Sequence, residues 1–177
     1  MKSTDEQYGP IVGEILAGLS PAPLDGGEVL DDRCQQLAAV SDADLFIGHS
    51  IANPTMADAC RSGLLLRLND LDGSHEISQQ IHSSTGSFWH GIMHRREGDF
   101  GNSKYWFRRV GDHEVYSELA DAAQAIGATS DAWDPFAFVD FVEGIERGDE
   151  DNRALAEKIQ QREWQLLFDY CWQRAVS

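Results

Sequence analysis

His90, His94 and Glu97 are the residues of this chain best placed to do chemistry. At about 100° per residue in a helix their side chains project within about 60° of one another, while Phe88, Trp89 and Ile92 turn away from them. Histidines four apart on a helix can grip one metal ion through two imidazoles, and a carboxylate three residues further on can add a third ligand. Gly, Ile and Met separate the two histidines, so this is not an HExxH motif and no general base is built into it. His75 in the preceding segment extends the candidate metal set to His75, His90, His94 and Glu97, with His82 as an alternative. Zinc or a similar borderline divalent cation is the ion expected there.

The same stretch is a basic island. Residues Thr85 to Gly111 hold five cations (Arg95, Arg96, Lys104, Arg108, Arg109) against two acids (Glu97, Asp99), a local charge of 5 − 2 = +3 in a chain of net charge −16. Guanidinium groups bind carboxylates and phosphates through paired hydrogen bonds. One reading is therefore a pocket for a small anionic ligand, lined by His90, His94, Arg95, Arg96, Glu97, Asp99, Asn102, Tyr105 and Arg109. Another is a purely internal polar layer, in which these groups satisfy one another between helices and the chain serves as a helical protein–protein interaction module. Phe88, Trp89, Phe100, Tyr105, Trp106 and Phe107 read as core rather than as a cofactor box, with arginine stacked on tryptophan as an internal use. No GxSxG, P-loop, GxGxxG or ExxH pair is present, so the sequence names no reaction.

The elements that must position these groups read as helices throughout. Alternating strand patterns are missing, and apolar residues recur at helical spacing. The expected fold is all-α, an irregular bundle of roughly 7–10 helices in one domain spanning residues 1–177, with residues 1–27 a peripheral helix and loop. Asn53-Pro54 and Asp134-Pro135 are cap-plus-proline helix starts, and Ser41 with Asp44 approximates a capping box. A helix is expected from about Glu28 to Val40. Asp70 to Ser74 should bend the chain, with Ser74 capping a helix that puts His75, Gln79 and His82 on one side. Thr85 or Ser87 should start the central helix and Gly98 end it; Asn102 or Ser103 should start the next, to Gly111. A long helix from about Asp151 to Arg174 closes the chain.

Composition narrows the class. At 177 residues, 42% hydrophobic and 25% charged, the chain is of globular type, and no apolar run reaches the ~18 residues of a membrane span. The first ten residues lack a signal-peptide pattern, which points to the cytoplasm. Three widely spaced cysteines argue against a disulfide framework, and a net charge of −16 argues against nucleic acid as a partner. The words SHEISQ, TGSFWHGIM and HRREGDFGNSKYWFRRVG together resemble a family of uncharacterised bacterial and fungal proteins with the pattern SHxISQ followed by TGSxWHxIMHRRExDxxNxKYWFRRVG. The resemblance covers roughly Leu64 to Val115. It implies a shared site there and assigns no role to any residue.

Overall fold

A computed structural model describes residues 4–176. Among them are eleven α-helices: α1 (Thr4–Tyr8), α2 (Pro10–Leu16), α3 (Asp31–Ala39), α4 (Asp42–Leu45), α5 (Pro54–Arg67), α6 (Leu71–Ser78), α7 (Ser84–Glu97), α8 (Phe100–Val110), α9 (Val115–Ala125), α10 (Pro135–Glu146) and α11 (Arg153–Ala175). No strand occurs among the described residues. A single antiparallel bridge, Ile51 with Val176, ties the end of α11 to the loop before α5. The fold is all-α, as the periodicity predicts. The count of eleven includes two helices of only four and five residues.

Helix α11 is the spine. Its Trp164 stacks on Phe168 (ring centroids 4.9 Å apart), Trp172 stacks on Phe46 (4.6 Å), and Leu167 and Cys171 are fully buried. Glycines let neighbouring helices close on this core. A Cβ on Gly63 of α5 would lie 2.8 Å from the Trp89 ring, and one on Gly91 of α7 would lie 3.0 Å from Phe107. The Trp164 indole N–H donates to the Gly63 carbonyl at 2.7 Å, so one tight crossing also satisfies a buried donor. A smaller apolar cluster of Leu24, Ala123, Phe138, Val142, Ile145, Ala156 and Ile159 lies under α10. No helix of the described residues is long and apolar enough to cross a membrane.

Several expectations need correction here. The described part of the N-terminal segment is not peripheral: Tyr8, Val12, Ile15 and Leu24 are 0–2% exposed and belong to the core. Helix α3 starts three residues later than expected. The Leu30 amide donates to the Leu68 carbonyl and the Asn69 side chain to the Glu28 carbonyl, which holds residues 28–30 extended along the end of α5.

The elements around the basic island are set by local capping. Asp70 caps α6 by accepting from the Gly73 amide at 2.9 Å, and a Cβ on Gly73 would collide with that carboxylate at 2.5 Å. Asp70 to Ser74 is therefore the first turn of α6 rather than a bend, and α6 ends at Ser78. Ser83 caps α7 through the Gly86 amide. Gly98, at φ 82°, closes α7 in the left-handed conformation that favours glycine. Asp99 then caps α8 through the Asn102 amide at 3.0 Å, so α8 begins at Phe100, before the expected Asn102 or Ser103. Ser103 donates to the Gly91 carbonyl at 2.7 Å and locks α8 against α7.

Candidate metal centre

Helices α6 and α7 together bring three imidazoles to one point. His75 comes from the middle of α6, and His90 and His94 come from successive turns of α7. One ring nitrogen from each of the three lies within 4.8 Å of the others. Ring centroids are 4.6 Å apart for His75 and His90, 4.9 Å for His90 and His94, and 5.6 Å for His75 and His94. His90 and His94 are buried and His75 is half-buried, so the cluster is reached from the His75 side.

The partners of the rings decide which nitrogens carry lone pairs. The Ser78 hydroxyl donates its one hydrogen to the His75 carbonyl at 3.3 Å and contacts His90 Nδ1 at 3.2 Å. With the hydroxyl hydrogen on the His75 carbonyl, His90 Nδ1 donates to Ser78 and Nε2 is the acceptor; with it on Nδ1, the roles of the two ring nitrogens exchange. His90 also packs on the Trp106 ring at 3.9 Å between centroids. His94 Nδ1 meets Glu97 Oε2 at 2.8 Å, and its Nε2 meets the Asn102 side-chain amide at 3.1 Å. A carboxylate on Nδ1 fixes the tautomer in which Nε2 can bind a metal and makes that nitrogen more basic. Glu97 is thus placed to orient His94 rather than to be a third ligand. Half of its side chain is exposed.

Burial, with His94 and His75 adding to it, pushes the His90 pKa down to about 3. Burial likewise depresses His113, which contacts Thr85 at 3.3 Å, to about 4. Both are neutral in the folded protein near pH 7, and a neutral ring is the form that binds a metal. We expect their imidazole NMR resonances to show no titration between pH 5 and 8 in metal-free protein. The unfolded chain binds these two protons near pH 6.5 and the folded chain only near pH 3–4. Their contribution to stability is therefore present above about pH 6.5 and is lost as the pH falls through that window. The carboxyls of Asp58, Glu163 and Asp169 are shifted upward, chiefly by burial, and act with the opposite sign. Single-residue resonances isolate the histidine effect where a melt does not.

The remaining members of the expected site separate into four groups. Arg95 and Arg96 are interior cations, and neither lies at the histidine cluster. Arg95 is fully buried, pairs with the equally buried Glu163 on α11, donates to Gln160 at 3.3 Å and lies 4.5 Å over the Phe138 ring. Arg96 donates to the carbonyls of Pro23 (3.1 Å), Gly26 (2.6 Å) and Leu66 and to Asn69 Oδ1 (2.6 Å). Burial pushes its pKa down to about 9, so it stays charged at neutral pH. Asp99 is a helix cap. Tyr105 and Arg109 are exposed on the outer side of α8. Asn102 touches the cluster through His94.

His82 falls in the loop after α6, which ends at Ser78, and is exposed. Sequence reasoning missed Ser78 and Trp106, the two groups that hold His90. Ser78 stands three residues after His75 on one helix face, and that spacing was the available signal. No family model, curated protein or solved structure matches this chain.

Proposed function

We propose that the protein binds one borderline divalent cation, zinc by preference, on His75, His90 and His94, and presents it to a small molecule. The observation that carries this reading is the convergence of three imidazoles from two helices with ligand nitrogens within 4.8 Å. Two supports stand beside it: the Glu97 carboxylate on His94 Nδ1 and the partial exposure of His75. Three protein nitrogens leave a fourth tetrahedral position for water or a ligand. That is the donor count of zinc sites that act as Lewis acids or lower the pKa of bound water, whereas purely structural sites use four protein ligands. The three cysteines are free thiols, in keeping with a cytoplasmic setting.

Cobalt(II) is the direct probe. The wild-type protein should give the visible absorption of a four-coordinate, nitrogen-ligated ion, and His75→Ala should lose it. A featureless spectrum at saturating cobalt overturns the proposal. The second reading, a polar layer joining helices without metal, is favoured by the Asn102 amide on His94 Nε2. It requires His94→Ala to lose several kcal/mol in chelator, because partners would be left unpaired.

A further inference from the structure

We propose that the groove beside the histidine cluster holds the carboxylate or phosphate group of a small molecule, with Arg109 and the Ser87 hydroxyl as its anchors. The inference deepens the metal reading by adding a ligand class to it, and it is tested without metal so that the two can fail separately. The groove has a volume of about 590 Å³ and is lined by residues that include Gln79, His82, Ser87, Tyr105, Trp106 and Arg109. That volume falls within the range of small-molecule sites. It adjoins the cluster through Trp106, on which His90 packs and over which the Arg109 guanidinium lies at 5.2 Å from the ring centroid.

Arg109 is the arginine on the groove wall, and like Arg108 and Arg162 it has no carboxylate partner among the described residues. The chain has 30 acidic and 14 basic residues, and Arg61, Arg95, Lys104, Arg147, Arg153 and Arg174 each pair with a carboxylate. Arg109 forms no ion pair among the described residues, despite that excess of acid. The rings of Trp106 and Tyr105 (5.9 Å) hold its guanidinium in place, which lowers the entropy cost of binding an anion by its planar fork. Ser87 is only 6% exposed, lines the groove, and makes no side-chain hydrogen bond among the described residues. A hydroxyl at the groove wall without a protein partner is free to donate to an anion there. Ser83 and Ser87 also bring the first turn of the 14-residue helix α7 to the groove wall, where the helix dipole favours negative charge.

The test titrates chelator-treated protein with inorganic phosphate and, separately, with acetate at constant ionic strength, following backbone and indole NMR shifts. Saturable shifts at Ser87, Trp106 and Arg109 are expected with at least one of the two probes, and the stronger probe identifies the anionic group. Arg109→Gln, an exposed substitution that leaves the core intact, should weaken binding at least about tenfold, and Ser87→Ala should weaken it by a smaller factor. The proposal is overturned if neither anion binds, if Arg109→Gln binds as well as the wild type, or if binding appears only with zinc present.

Discussion

Arg95→Ala is expected to cost about 3–5 kcal/mol of unfolding free energy, because it leaves the Glu163 carboxylate charged and unpaired in a fully buried position. Removing both charges together should cost far less. In Arg95→Met with Glu163→Leu no buried charge is stranded, and apolar replacements of similar volume are often neutral or stabilising. The neighbouring Arg96→Ala should be destabilising by a similar amount. It strips the carbonyls of Pro23, Gly26 and Leu66 of a shared donor and unpins the loop between α2 and α3 from α5. His94→Ala in chelator should lose less than about 1 kcal/mol, since its ring faces the cluster and its partner Glu97 is half exposed. Urea melts of the four variants read this ordering. Equal losses for His94→Ala and Arg96→Ala would make the histidines part of the scaffold.

Fold class was legible because local signals agreed with one another. The caps Asn53, Asp134 and Ser41 each accept from the backbone amide that their position predicts. Where reading failed, a contact distant in sequence was the cause. The pairing of residues 28–30 with Leu68 and Asn69 shortened α3, and no periodicity within residues 28–40 encodes it. Residues 70–74 read as a bend, whereas the missing Cβ of Gly73 makes room for Asp70 to cap α6.

In the site, the i, i+4 histidines gave a face but no destination. His75 is brought to that face by the chain reversal through residues 79–83, which spacing alone cannot fix. The arginines were the hardest to place. Arg95, Arg96, Arg108 and Arg109 are chemically alike in sequence. A one-residue step of about 100° around α7 sends His94 to the cluster, Arg95 to Glu163 and Arg96 to the α2–α3 loop.

Loss of metal affinity is the other large effect expected. Removing His75 or His90 deletes a ligand outright. Glu97→Gln keeps all three ligands but weakens the orientation of His94, and changes of that kind cost about 10–100-fold in affinity. His75→Ala and His90→Ala should therefore lose more than Glu97→Gln does. Because folding assembles the cluster from two helices, the cation should also stabilise the protein, by about 2.7 kcal/mol at a free concentration 100 times the dissociation constant. His90 is already neutral near pH 7, so its coordination releases no proton there.

The most direct test of the central proposal is a zinc titration of chelator-stripped, tag-free protein against a competing chromophoric chelator, run beside His75→Ala and His90→Ala. One zinc per chain, with affinity lost in both variants, is the predicted result. No saturable uptake by the wild type, or undiminished uptake after both histidines are replaced, would contradict it.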